Sequence, residues 1–383
     1  MFPDSAVAKK FSLSDRKTSY LALFGLAPYF TSLLEDLRKC EEFVLLLDES
    51  LNDVLQTKQM DFHVCFWDHG TVRTRYLASN FLGHCTASDM VSAFDSVTAN
   101  LNLNNLIQLS MDGPNVNWAF YKKIDSALTT EHGITLLNVG SCSLHKVHGA
   151  CKTAMDAVNW KLDKILRSLF QLFHDTPARR EDFVNVTGTS TFPLQFCKHR
   201  WLENTTVAQR ALNLMEPLRK YVGEVMKSSV SDPKTESFKI VKEAVLKDEF
   251  LAPKLAFFIS LSKHVEPYLT EYQTDAPMLQ FAHHDLNAIA IGLLKRFVVP
   301  EKIEEIKTTK DIVIFQVTDP LNHVTRHNVA VGFVAESMFN ELKKAKKVSE
   351  LQILEFKDAC KSILVCFADK FLTKSPLHYG LVK

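Results

Sequence analysis

Leu106-Ile107-Gln108-Leu109-Ser110-Met111-Asp112-Gly113-Pro114-Asn115 is an apolar run that stops at an acid, a glycine and a proline. A stretch of the same design lies upstream, Phe43-Val44-Leu45-Leu46-Leu47-Asp48-Glu49-Ser50. Both runs are short, apolar and closed by turn-forming residues, which predicts strands buried on at least one face. Asp48 and Asp112 stand at the two strand ends. Carboxylates at the ends of neighbouring strands can share one divalent cation, and Mg2+ and Mn2+ are the hard ions that oxygen ligands suit. Each Asp also has a plainer reading, as the first residue of a turn.

Working outward, Phe62–Trp67 and Val72–Leu77 read as two further strands, joined into a hairpin by Asp68-His69-Gly70. Thr86 with Asp89 has the spacing of a capping box and opens a helix to about residue 100. A second helix follows Asn115 and is stopped by Gly133; Ile134–Val139 reads as another strand, and a helix begins near Cys142. Upstream, residues 5–40 have apolar residues at loose helical spacing, with Pro28 interrupting or restarting the helix. Beyond residue 155 the pattern is helical, as in the stripe from Trp160 to Phe173. Pro300 and the polar residues after it read as a linker, and 312–317 as a strand paired with 324–331 across Pro320-Leu321-Asn322. Four parts result: an N-terminal helical segment (1–40), a mixed α/β core (41–155), a helical domain (156–300), and a linker, hairpin and C-terminal helices (301–383).

The order strand, strand, strand, helix, strand, helix, strand predicts an α/β fold with a mixed sheet. It is the order of a ribonuclease H-like sheet, in which the first and fourth strands are central neighbours. There Asp48 and Asp112 would lie side by side, which the turn reading does not require.

Composition sets limits on function. The chain has 383 residues, 46% hydrophobic and 23% charged, which is globular composition. Lys+Arg total 45 against 44 Asp+Glu, so net charge gives no general attraction to nucleic acid and leaves a local basic patch open. No apolar run reaches membrane-span length, and Met1-Phe2-Pro3-Asp4 does not begin a signal peptide. The eight cysteines include no C-x-x-C pair, so reduced thiols in the nucleus or cytoplasm are expected rather than secretion. No P-loop, G-x-G-x-x-G, G-x-S-x-G or H-E-x-x-H occurs.

Four motifs occur in order: Asp48-Glu49-Ser50, Ser110-Met111-Asp112-Gly113-Pro114-Asn115, Cys142-Ser143-Leu144-His145, and Arg200-Trp201. Together they resemble the hAT superfamily of cut-and-paste DNA transposases, over about residues 40–372. The resemblance implies a ribonuclease H-like catalytic domain interrupted by a long helical insertion. It assigns the first two catalytic acids to Asp48 and Asp112, the C-x-x-H motif to Cys142 and His145, and a base-stacking pair to Arg200 and Trp201. His145 would contact a phosphate or a carboxylate near the active site. The family's third carboxylate, a Glu on a late helix, has no motif-level counterpart: Glu336, Glu341, Glu350 and Glu355 lack the surrounding pattern. The family's N-terminal BED-type finger and C-terminal dimerisation segment are not found either.

The residues themselves leave plainer alternatives open. Cys142, His145 and His148 could share a helix face as zinc ligands, or Cys142 and His145 could be buried anchors with His148 partly exposed. Trp201 is a core residue or a stacking platform, with Lys198, His199 and Arg200 supplying charge nearby. The expected function is a transposable-element-derived, transposase-like protein, inactive in strand transfer, that keeps nucleic-acid or protein binding. An active Mg2+- or Mn2+-dependent strand transferase or nuclease, and a structural protein-interaction module, are the rival expectations. Possible partners are DNA and other proteins, with no membrane.

Overall fold

The computed structural model describes residues 12–374, apart from 36, 38, 39, 139, 275 and 277. They form two compact units, which divide in sequence between Cys142 and Ser143.

The first unit is built on four strands: β1 (Phe43–Asn52), β2 (Thr57–Asp68), β3 (Thr71–Leu82) and β4 (Leu106–Ser110). Their spatial order is β3-β2-β1-β4. The first three form an antiparallel meander, and β4 runs parallel to β1. The β2–β3 turn is His69-Gly70, both with positive φ (44° and 85°), the backbone that a two-residue type I′ hairpin requires.

Alternation decides which face is covered. Phe43, Leu45 and Leu47 on β1, Phe62, Val64 and Phe66 on β2, and Leu109 on β4 are buried together. Helices α3 (Ala87–Thr98) and α4 (Asn115–His132) belong to the same core through Met90, Phe94, Phe120 and Ile124. Burial contributes about 1.5–3 kcal/mol for each such side chain. The expected capping box at Thr86 and Asp89 is present, and Gly133 ends α4 in the left-handed conformation at φ 67°.

The chain begins with α1 (Asp15–Leu21), a π-helical turn (Ala22–Leu26) and α2 (Ala27–Leu33). Pro28 sits at the start of α2, where its missing N–H is harmless, so it restarts the helix.

The second unit is helical. Helix α5 (Ser143–Asp156) packs on the last helix of the chain, Glu350–Lys374. It belongs to the second unit, which begins at Ser143. The long helix Leu251–Glu271 is buried through Leu255, Phe257, Phe258, Leu261 and Val265. Phe173, Phe183 and Tyr221 form an aromatic cluster, with ring centroids 4.8–5.7 Å apart.

Three expected strands are not strands. Residues 134–138 run without regular structure, touching the sheet through the Leu137 N–H, which donates to Ile107 O at 2.8 Å. Asp125 Oδ1 of α4 accepts the neighbouring Leu136 N–H at 2.9 Å. The expected hairpin at 312–317 and 324–331 is absent as well. Thr309–Ile314 is a helix, because Thr308 and Asp311 form a capping box in front of it. Val324 and Ala330 instead donate to Phe297 O and Arg296 O, both at 2.9 Å. Pro300 opens a short helix, Pro300–Glu304, rather than a loose linker.

Candidate metal centre at the end of the sheet

Parallel pairing of β1 with β4 sets Val44 against Gln108, Leu45 against Leu109 and Leu46 against Ser110. Two residues further, the same offset brings Asp48 level with Asp112, just past the end of β4. Leu45, Leu47, Leu109 and Met111 point into the core, so Leu46, Asp48, Ser110 and Asp112 belong to the opposite face. The two acids picked out by sequence therefore fall at one level, Asp48 within β1, which runs on to Asn52 rather than ending at the acid, and Asp112 two residues past the end of β4. Neighbouring strands lie about 4.8 Å apart, within reach of a shared cation. Asp48 is exposed and Asp112 half-buried.

A third carboxylate lies in the same row. The antiparallel register sets Asp61 of β2 directly opposite Asp48, and directly opposed residues share a face. Gln59 Nε2 donates to the two Asp61 carboxylate oxygens at 2.9 and 3.2 Å, and Ser79 Oγ of β3 also donates to Asp61. The nearby Lys58 is engaged elsewhere, paired with Glu49. Opposed like charges destabilise a sheet unless a cation lies between them. Sequence inspection missed Asp61 because its importance depends on hairpin register. The turn signal at Asn52-Asp53 could have found it, since a hairpin centred on Val54 and Leu55 pairs 48 with 61.

Glu49, beside Asp48, alternates to the core face and is a structural clamp. It pairs with Lys58 and accepts the Cys85 thiol at 3.1 Å. Burial, reinforced by that acid, pushes the Cys85 thiol up to about 12, so it stays protonated at neutral pH.

Cys142 closes the unit. Its N–H donates to Met111 O at 3.1 Å, which tethers the segment to the end of β4. Its sulfur lies within 4.8 Å of an Asp112 carboxylate oxygen. A thiolate is a soft ligand and would favour zinc over magnesium, whereas the Asp48, Asp61 and Asp112 row is all hard oxygen.

The remaining motif residues lie in the second unit. His145, on the first turn of α5, is exposed; His148 one turn on is buried, the reverse of the anchoring expected from sequence. His148 Nδ1 accepts the Leu202 N–H at 3.3 Å, which fixes the Arg200-Trp201 segment to α5. Burial drives the His148 pKa down to about 4, more strongly than Glu203 at 3.8 Å raises it. Arg200 is exposed and paired with Glu203 at 3.3 Å. Trp201 is only 4% exposed and stands edge-on to Phe196 (5.2 Å) and Phe258 (6.3 Å). The cleft it borders is lined by Asp156, Lys161 and Asp163, a poor setting for a phosphate backbone. As folded, Trp201 is a core residue and offers no free ring face to a base. Of the late glutamates, Glu336 pairs with Lys357 and Glu350 with Lys343.

Comparison with known protein families finds no match to this chain, and none of the curated proteins compared with it matches either. No helix among the described residues is long and apolar enough to cross a membrane.

Proposed function

We propose that the chain is a derivative of a hAT-type DNA transposase. In this reading its first unit is a ribonuclease H-like domain whose row of acids binds a divalent cation, and which engages nucleic acid without efficient strand transfer. One observation carries the reading: continued two residues past its last pair, Leu46 with Ser110, the β1–β4 register brings Asp48 and Asp112 to one level. The strand order β3-β2-β1-β4 with helices after β3 and β4 supports it. Two-metal strand transfer needs ions about 3.5–4 Å apart, each held by acids poised for in-line displacement. Asp48 and Asp112 would hold one Mg2+ or Mn2+, while Asp61, held by Gln59 and Ser79 on the far side of Asp48, acts on that ion through its charge. Exposed Lys198, His199 and Arg200 are the local basic group for a nucleic-acid contact in the second unit.

Asp61 also favours a second reading, an active Mn2+-dependent nuclease in which it replaces the missing glutamate. One experiment separates the two. Mn2+ binding, read as a thermal shift, and Mn2+-dependent nicking of duplex DNA are measured for wild type, Asp48→Asn, Asp112→Asn and Asp61→Asn. The first reading expects background nicking in all four, a Mn2+ shift lost in Asp48→Asn and Asp112→Asn, and a smaller shift in Asp61→Asn. Removing the opposed charge should also stabilise metal-free Asp61→Asn by about 0.2–1 kcal/mol. Nicking by wild type that all three variants lose establishes the nuclease. An equal Mn2+ shift in all four removes the metal centre. Retention on DNA that does not weaken with salt removes nucleic acid.

A further inference from the structure

We infer that the outer edge of β3, along Thr71–Tyr76, is a docking site for an extended acidic segment of another protein, which adds to the sheet as a fifth strand. β3 lies at one side of the sheet, next to β2 only. Among the described residues, no backbone hydrogen bond reaches it from any element other than β2. Every second residue of such a strand turns its N–H and C=O outward, a template for another chain.

Register marks off the usable part of this edge. The β2–β3 pairing slips between Phe62 and His63, which leaves Leu77 as an extra residue in β3. From Thr71 to Tyr76 the strand pairs without interruption with Asp68 to His63, a run as long as an ordinary strand. No proline interrupts it.

Charge says which strand fits. Arg73 lies opposite Phe66 and Arg75 opposite Val64, and directly opposed residues share a face. Phe66 and Val64 are buried, so both arginines stand on the core-facing side of the sheet, at its rim, with their aliphatic stems over the core. Arg73 is shared with Asp68 at 3.3 Å. Arg75 has no carboxylate partner among the described residues; its Nη1 donates to Thr74 O at 3.3 Å, which keeps the guanidinium beside its own strand. From His69 to His84 the chain contains no acid at all. A carboxylate on an added strand, directly opposite Arg75, would have its Cβ about 4.5–5.5 Å from that of the arginine, and a second acid two residues along would meet Arg73. The same charges argue against a second copy of this chain, because two β3 strands laid together bring their arginines to one seam. The outward backbone groups favour a peptide over a nucleic acid, which has no ladder to offer them.

Hydrogen–deuterium exchange and fluorescence anisotropy on the full chain test this. The probe is the blocked hexapeptide Thr-Glu-Val-Glu-Val-Thr, compared with a version carrying Lys for Glu and with an acidic version N-methylated at alternate residues, which cannot form a ladder. The expected result at millimolar peptide is slowed exchange over 71–76 with the unmethylated acidic probe alone. In Arg75→Glu the dissociation constant of that probe should rise about 10-fold while that of the Lys peptide falls, an opposite pair of changes that a misfolded variant would not show. Equal binding of the Glu and Lys peptides, equal binding of the methylated probe, or no slowing with any peptide overturns the inference. A single-stranded oligonucleotide that protects 71–76 where the peptides do not assigns the edge to nucleic acid, and overturns it as well. So do amides at 71–76 that resist exchange in the free chain as strongly as those of β1, because the chain then covers its own edge.

Discussion

His148 shows how one buried side chain can bind a segment together and carry a pH dependence. It accepts the Leu202 N–H while neutral, and a protonated imidazole cannot accept at that nitrogen. Its pKa falls from the ordinary 6.5 to about 4 on folding, chiefly by burial. The unfolded chain therefore takes up a proton between these values before the folded one does. The stability contributed by neutral His148 is complete above about pH 6.5 and is lost as pH falls toward 4. Thermal melts across that window should show a falling transition temperature in wild type and a shallower fall in His148→Gln. Equal slopes would show that the imidazole is not the sensing group. The neighbouring Trp201 makes a related point. The Arg-Trp pair is plain in the sequence, yet exposure separates a stacking platform from a core ring, and exposure depends on Phe196 and Phe258.

Among the elements, α3 is the most legible. Thr86 and Asp89 exchange hydrogen bonds across its first turn, with Asp89 Oδ2 accepting the Thr86 N–H at 2.8 Å. Those bonds lower the Asp89 pKa, so the cap holds at neutral pH. Thr86→Ala should destabilise the first unit by about 1 kcal/mol, the usual cost of losing an N-cap side chain. Urea unfolding followed by a probe in that unit measures it, and a change under a few tenths would show the helix start to be held by packing alone. The 134–138 segment marks the limit of this legibility. Its Ile, Thr and Leu content reads as strand, yet it meets β4 through the Leu137 N–H to Ile107 O, with Leu136 held by Asp125 of α4. Pairing of this kind depends on the tertiary setting, about which strand propensity carries no information.

At the scale of the molecule, two separate cores imply two cooperative transitions. The first core joins the sheet to α3 and α4; the second links the helices from Ser143 onward. Calorimetry should resolve two unfolding steps, and Trp201→Ala should lower only one of them, by about 3–5 kcal/mol. DNA retention should be unchanged in that variant if Trp201 is core; loss of retention without loss of stability would return it to the binding surface.

The sequence by itself determined the local features of this protein: the existence of the strands that begin at Phe43 and Leu106, the His69-Gly70 turn, the Thr86 cap and the stop at Gly133. Each follows from backbone sterics, alternation or a hydrogen bond within a few residues. Tertiary structure alone decided that Asp61 faces Asp48, that His148 rather than His145 is buried, that Trp201 is enclosed, and that the apolar helix at 15–33 is left open to water. These depend on strand register and on burial, which are sums over residues distant in the chain, and no short window of sequence contains them.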